Sequence, residues 1–155
     1  MFFNFFFLGF ESTKFISFFV SMKSHFIDVK VRYSETDQMG LTHHSAYVNY
    51  LEQARISWIS NLGLSYFEME KSGVILPVSK LSISYLKPAY FDDKLTICVE
   101  LVEMPTSKLI FDYKVVKDKT IITKAKTVLA FLNKKTKKPI RCPNYFLDKV
   151  SALFK

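Results

Sequence analysis

The chain has 155 residues, 49% of them hydrophobic and 23% charged, which favours a single globular domain and excludes a disordered chain. Its net charge of +8 is compatible with an anionic partner, although a surface of solvated lysines is the simpler explanation. The two cysteines, Cys98 and Cys142, are far apart in sequence. That spacing argues against a disulfide framework or a zinc site and favours a reducing, cytoplasmic location.

Residues 1–21 differ in composition from the remainder of the chain. Their apolar run, Phe2–Phe10, is interrupted by Asn4 and is too short to span a membrane. The segment also lacks the basic start of a secretory signal. We interpret 1–21 as a hydrophobic extension that the fold can dispense with, and a membrane-associating leader is the alternative. Residues 22–155 are predicted to form one domain, without stable membrane insertion.

The first half of that domain predicts a strand, a loop and a long helix. His25–Tyr33 alternates polar and apolar residues, as a half-buried strand does. Ser34–His43 is polar and contains Gly40, which predicts a loop. In His44–Leu62 apolar residues recur at spacings of three and four, and Gly63 follows as a helix-ending residue.

The second half is predicted to be mostly strand. Alternating patterns separated by short breaks predict four strands that run as a meander, preceded by one short helix and followed by another. The strands are Leu76–Leu86, Lys94–Val102, Lys108–Val116 and Thr120–Leu132, and the short helices are Leu64–Lys71 and Asn144–Phe154. The predicted class is α+β, with a curved antiparallel sheet of about five strands wrapped around one long central helix.

The polar loop before the long helix is where we expect chemistry. A helix start presents unpaired N–H groups and partial positive charge, which can hold an oxygen on which negative charge develops. Asp37, near Gly40, places a carboxylate a few residues before that start at His44. Loop hydrogen bonding by Asp37 is the alternative. No metal site is expected, because His43 and His44 are adjacent and their side chains do not converge.

Three stretches, in this order, resemble hot-dog-fold acyl-CoA thioesterases of the 4-hydroxybenzoyl-CoA thioesterase family, closest to its Tol–Pal-associated branch. Arg32–Arg55 (RYSETDQMGLTHHSAYVNYLEQAR) is similar to the Asp-x-x-Gly…His-x-x-Tyr…Glu-x-x-Arg motif. Leu76–Ile97 (LPVSKLSISYLKPAYFDDKLTI) resembles the segment with Lys-Pro-Ala and Asp-Asp. Thr123–Pro143 (TKAKTVLAFLNKKTKKPIRCP) resembles the last strand and its basic turn. The resemblance implies the hot-dog fold.

The resemblance also implies roles for individual residues. Asp37 aligns with the catalytic carboxylate, which acts as nucleophile or as general base. His44 aligns with the helix-start position whose backbone N–H polarises the thioester carbonyl. Tyr47 and Asn49 are expected to shape the acyl pocket, although plain packing is equally expected for Tyr47. Glu52 and Arg55, spaced i,i+3, could simply pair with each other and are assigned structural roles.

The CoA part of the substrate carries phosphates, so basic residues are expected near the entrance. The predicted substrate-binding residues outside the helix are Ser79, Lys80, Lys87 and Lys135. No cofactor is implied, because coenzyme A belongs to the substrate. In this family active sites lie between subunits, which implies a homodimer or homotetramer in which a sheet edge pairs with its symmetry mate.

The predicted function is therefore hydrolysis of acyl-CoA to free acid and CoA. One alternative is a thioesterase acting on acyl carrier protein, whose acidic surface a basic protein would attract. Another is a non-catalytic module that binds acyl-CoA, against which the presence of Asp37 argues. Nucleic-acid binding has only the net charge in its favour and is not expected.

Overall fold

The computed structural model describes residues 23–154, so the predicted extension 1–21 lies outside the described residues. The described chain contains three α-helices: α1 His44–Asn61, α2 Tyr66–Lys71 and α3 Asn144–Ser151. Its strands are β1 Ser24–Lys30, β2 Val74–Ile75, β3 Val78–Tyr85, β4 Lys94–Leu101, β5 Lys108–Lys117, β6 Thr120–Ala130 and β7 Leu132–Asn133. Short 3-10 turns occupy Tyr33–Glu35 and Ala152–Phe154. The predicted strands and helices are confirmed, with ends that differ by a few residues.

Five strands form one antiparallel sheet in the order β1-β4-β5-β6-β3. Only β4, β5 and β6 therefore form a meander, and the prediction that all four later strands do so is wrong. The reason lies in the segment between β3 and β4. Its Asp92 N–H donates to the carbonyl of Val31, and the Val31 N–H donates to the carbonyl of Asp93, at 3.0 and 2.9 Å. These bonds start β4 beside β1 and leave β3 at the far edge, paired with β6.

Helix α1 packs one face on the sheet, mainly against β1 and β4. Its buried apolar residues recur at helical spacing, as the sequence predicts: Tyr47, Tyr50, Leu51, Ala54, Trp58 and Ile59. The Trp58 ring meets the Phe111 ring of β5 edge-on, with centroids 5.0 Å apart. The helix ends at Asn61, and the predicted glycine follows two residues later, where Gly63 has a φ of 73°. Burial of this face is what fixes the helix on the sheet.

The structural roles predicted for Glu52 and Arg55 are confirmed. Arg55 is buried, and its Nη2 lies 3.7 Å from Glu52 Oε2. Its Nε donates to the hydroxyl of Tyr66 in α2 at 3.3 Å. The pair therefore helps to join α2 to α1. Across residues 23–154 the helices are too short or too polar to cross a bilayer.

The core role of α1 can be tested with two isoleucines of the same helix. Ile59 is 0% exposed and Ile56 is 40% exposed. Ile59→Ala is expected to lower the free energy of unfolding by about 2–5 kcal/mol, because it leaves a cavity under the sheet. Ile56→Ala is the matched control and is expected to change it by less than about 0.5 kcal/mol. Urea unfolding measures both; equal losses in the two variants would contradict this packing of α1.

Candidate active site

The loop before α1 closes on itself around Asp37. The Asp37 Oδ1 atom accepts hydrogen bonds from the backbone N–H groups of Met39 at 2.9 Å and Leu41 at 3.1 Å. The Asp37 carbonyl accepts the N–H of Gly40, whose φ of +77° suits a residue without Cβ. The Asp37 Oδ2 atom has no hydrogen-bond partner within residues 23–154. Oδ1 of Asp37 therefore makes the hydrogen bonds that stabilise the loop, and Oδ2 is available to bind or react with a ligand.

The start of α1 leaves one backbone donor available. His43 is the N-cap, and its Nδ1 accepts the N–H of Ser45 at 3.3 Å. The N–H of Ala46 donates to the carbonyl of His43 at 2.9 Å. No residue in the described part of the chain accepts the N–H of His44. This donor stands at the positive end of the helix dipole, so it can hold an oxygen that gains negative charge.

A second segment, between β3 and β4, also supports the loop. The N–H of Thr42 donates to the carbonyl of Ala89 at 2.7 Å, and Leu41 forms a β-bridge with Tyr90. The segment itself is held by Asp93, whose Oδ2 accepts the N–H of Tyr90 at 2.7 Å and pairs with Lys117. The Lys-Pro-Ala…Asp-Asp stretch of the sequence therefore holds the Asp37 loop in place through backbone hydrogen bonds.

The loop, the start of α1 and the end of β3 line an open cavity of about 440 Å³. Four of the residues predicted for the site line it together: Asp37, His44, Tyr47 and Lys87. Burial raises the pKa of Tyr47, so this side chain stays a neutral phenol at neutral pH. The cavity thus combines one carboxylate, one helix start, one cation and an apolar wall.

The other four predicted residues do not line this cavity. Asn49 is exposed on α1, and Lys135 is exposed in the turn after β7. Ser79 is exposed, and its hydroxyl donates to the carbonyl of Val128 at 3.0 Å. Lys80 shares the sheet face of Ser82 and Ser84, because side chains alternate along β3, whereas Tyr85 points to the cavity face. Within a single chain these four side chains are apart from Asp37.

Sequence reasoning missed most of the apolar wall. Six lining residues were not singled out: Met39, Leu41, Thr42, Tyr85, Leu86 and Pro88. All six lie inside two of the three motif stretches, Arg32–Arg55 and Leu76–Ile97, so membership of a motif was the signal that could have found them. Tyr85 also orients the site, since its hydroxyl donates to the His44 carbonyl at 3.0 Å and its ring meets that of Tyr47 at 5.2 Å. This phenol fastens the end of β3 to the first turn of α1.

The described part of the chain contains no group of side chains arranged to bind a metal ion. Across residues 23–154, no three His, Cys, Asp or Glu side chains are grouped so that they could hold an ion. Cys98 and Cys142 are free and buried, and burial raises the pKa of Cys98 to about 11 and that of Cys142 to about 12. Both are therefore protonated and unreactive as nucleophiles at neutral pH.

Comparison with known proteins shows the family to which the chain belongs. The family model of the thioesterase-like superfamily matches residues 31–150. The putative acyl-CoA thioesterase YneP of Bacillus subtilis is 32% identical over 122 residues, which are 78% of this chain and 88% of YneP. The chloroplastic acyl-acyl carrier protein thioesterase ATL3 of Arabidopsis thaliana is 28% identical over 127 residues, which are 81% of this chain and 66% of ATL3.

A solved structure is equally similar. The DHNA-CoA thioesterase of Staphylococcus aureus has a TM-score of 0.78 and 33% identity, with 84% of this chain and 93% of that chain covered. The chain therefore belongs to the thioesterase-like superfamily, and its antiparallel five-stranded sheet with helices is a hot-dog fold.

The backbone of the Asp37 loop can be tested at Gly40. Gly40→Ala places a Cβ on a residue with φ of +77°, although no heavy atom lies within 4 Å of that Cβ. The free energy of unfolding is expected to fall by about 1–2 kcal/mol from backbone strain alone. Gly40→Asn is the control, with a smaller loss, because Asn tolerates the left-handed region. Urea unfolding that ranks Asn below Ala would contradict the assignment of strain.

Proposed function

We propose that this chain hydrolyses acyl-CoA thioesters to the free acid and CoA, with the Asp37 carboxylate and the N–H of His44 acting on one bound carbonyl group. The observation that carries the proposal is that both residues line the same cavity, each with an atom left without a partner within residues 23–154. The names of YneP and the S. aureus structure support the substrate class, since both are thioesterases of CoA esters.

In the first route, Asp37 is a general base. The carboxylate takes a proton from water while the water oxygen bonds to the thioester carbon, and the carbonyl oxygen becomes an oxyanion. The His44 N–H donates to that oxyanion, where the helix dipole stabilises it further. The intermediate then collapses, the C–S bond breaks, and the departing thiolate takes up the proton that Asp37 removed. The products are the carboxylic acid and CoA.

In the second route, Asp37 is the nucleophile. Its oxygen bonds to the thioester carbon and expels CoA thiolate, which gives an acyl-aspartyl anhydride. Water then cleaves the anhydride, which restores the Asp37 carboxylate and gives the carboxylic acid. The proton released in this step goes to the CoA thiolate, so CoA leaves as the thiol. Both routes use the same oxyanion donor. Because Oδ1 is held by Met39 and Leu41, the unpaired Oδ2 is the reacting atom in each.

A second copy of the chain would complete the site. β3 is an edge strand of the sheet, and its apolar residues Val78, Leu81 and Tyr85 are exposed in the single chain. An exposed apolar edge is normally covered, and pairing with the same edge of a second copy covers it symmetrically. We therefore propose a homodimer or homotetramer. The proposed substrate-binding residues Asn49, Ser79, Lys80 and Lys135 would then act across the interface, beside Lys87.

An acyl carrier protein is the second candidate substrate carrier. Its specific support is the similarity to ATL3, and the net charge of +8 suits an acidic partner. Matched acyl-CoA and acyl-carrier substrates with the same acyl group separate the two, since the preferred carrier gives the higher kcat/KM. The third candidate, a module that binds acyl-CoA without hydrolysis, is tested below by whether the wild-type chain hydrolyses the acyl-CoA that it binds.

Three finer assignments belong to the same proposal. We place the chain in the Tol–Pal-associated branch of the 4-hydroxybenzoyl-CoA thioesterase family, on the support of the Arg32–Arg55 motif. A sheet curved around α1 as its central helix is supported by the burial of that helix against β1 and β4. A cytoplasmic location is supported by the two free cysteines, and the reaction proposed needs no metal or cofactor.

Asp37→Asn is expected to lower kcat by at least about 100-fold, the size of loss typical for an essential group in such a site, while acyl-CoA still binds. Thiol release over a panel of acyl-CoA esters measures this. Asp118→Asn, in the turn between β5 and β6, is the matched carboxylate control and should leave kcat unchanged. Full activity of the Asp37 variant would contradict a role for this carboxylate in the mechanism. A wild-type chain that binds acyl-CoA but does not hydrolyse it would favour the binding module.

Leu81→Lys tests the proposed β3 interface. Two like charges brought together at a symmetric, apolar edge are expected to weaken dimerisation by at least about 100-fold. Val102→Lys is the control, because Val102 is also a partly exposed apolar residue but follows β4, away from β3. Sedimentation equilibrium measures the oligomer, and kcat should fall with the dimer fraction. An active wild-type monomer at micromolar concentration would contradict the shared site.

A further inference from the structure

The carboxylate of Glu35, two residues before Asp37, is buried and fully hydrogen-bonded. Only 9% of Glu35 is exposed. Its Oε2 accepts the backbone N–H of Arg32 at 2.8 Å and the hydroxyl of Tyr50 at 2.7 Å. Its Oε1 accepts Nε and Nη2 of Arg32 at 3.0 and 2.7 Å. We call this set of contacts between Glu35, Arg32 and Tyr50 the Glu35 clamp.

The clamp joins the Asp37 loop to α1 at two points. Tyr50 lies on α1, almost two turns after His44, and is itself 2% exposed. The carbonyl of Glu35 accepts the N–H of His43, the N-cap of α1, at 2.7 Å. One residue therefore holds the helix start through its main chain and the helix flank through its side chain.

Packing alone does not explain the clamp. Phenylalanine would fill the place of the Tyr50 ring, and a buried carboxylate is costly unless it is paired. Burial acts to raise the pKa of Glu35, but the hydrogen bonds from Arg32 and Tyr50 outweigh it and hold that pKa below its ordinary value. The carboxylate is thus ionised at neutral pH and accepts all four bonds at once.

The clamp also supplies what Asp37 lacks. The hydrogen bonds to Asp37 Oδ1 come from the loop itself, from Met39 and Leu41. They fix the carboxylate within the loop but not relative to α1. The distance from Asp37 to the N–H of His44 therefore depends on how the whole loop is fastened to the helix.

We propose that Glu35, through Tyr50, is a positioning residue that sets the place of the Asp37 carboxylate relative to the N–H of His44. The inference rests on the proposed hydrolase function for its kinetic consequence, but not for its structural one. A displacement of the reacting groups by about 1 Å can cost on the order of 100-fold in rate. Substrate binding in the cavity involves neither side chain, so the loss is expected in kcat and not in KM.

Three variants test the clamp: Tyr50→Phe, Glu35→Gln and the double variant. Tyr50→Phe keeps the ring and removes one donor, and is expected to lower kcat about tenfold with KM within about twofold. Glu35→Gln is expected to lower kcat by about 100-fold, and the double variant by no more than Glu35→Gln alone, because the two changes remove the same contact. Thiol release with an acyl-CoA panel gives kcat and KM.

Tyr113→Phe is the matched control. Tyr113 is also 2% exposed, and its hydroxyl bonds to Thr127 in the sheet, away from the loop. Its variant should lose stability without loss of kcat. If Tyr113→Phe lowers kcat as much as Tyr50→Phe at equal loss of stability, or if the clamp variants keep kcat within about twofold, the positioning role is wrong.

Amide hydrogen exchange separates this inference from the proposed function. In Tyr50→Phe and Glu35→Gln the amide of His43, which donates to the carbonyl of Glu35, is expected to lose protection, whereas Tyr113→Phe should leave it protected. An inactive wild type would end the hydrolase proposal, yet the exchange result would still decide the clamp. Unchanged protection of the His43 amide in both variants would overturn it.

Discussion

The site depends on one constraint, the fastening of a short polar loop to the first two turns of α1. Asp37 carries the carboxylate, and His44 carries an N–H that no residue of 23–154 accepts, but neither residue fixes the other. The distance between them follows from the main-chain bond between Glu35 and His43 and from the side-chain bond between Glu35 and Tyr50. Because these hydrogen bonds are buried, water does not compete for their donors and acceptors, and they are stronger than the same bonds at the surface.

The fastening is useful only because α1 is itself immobile on the sheet. Ile59 and Trp58 bury the far end of the helix against β4 and β5, some four turns from His44. The segment after β3 also holds the loop, through the hydrogen bond from the N–H of Thr42 to the carbonyl of Ala89. The same segment decides that β4 starts beside β1, so the strand order and the geometry of the site have one cause.

The sequence predicts those features that depend on local periodicity. Alternation located the strands, and the spacing of three and four located α1 to within one residue of its end at Asn61. It did not predict that β3 pairs with β6, because pairing partners are set by tertiary bonds such as that of Asp92 to Val31. The motif did predict that Asp37 and His44 lie together. It gave no sign of the hydrogen bond between Glu35 and Tyr50, fifteen residues apart, because that bond is also tertiary.

The cavity also carries costs that a purely structural domain would avoid. The hydroxyl of Thr42, in the cavity wall, is buried without a hydrogen-bond partner within residues 23–154, which costs roughly 1–3 kcal/mol. The N–H of His44 is likewise left without an acceptor within residues 23–154. Such unpaired groups persist where the surroundings impose them, and here the surroundings are the Glu35 clamp, the segment between β3 and β4, and the buried face of α1. Stability gained in the core is thus what permits an unsatisfied, preorganised site at its edge.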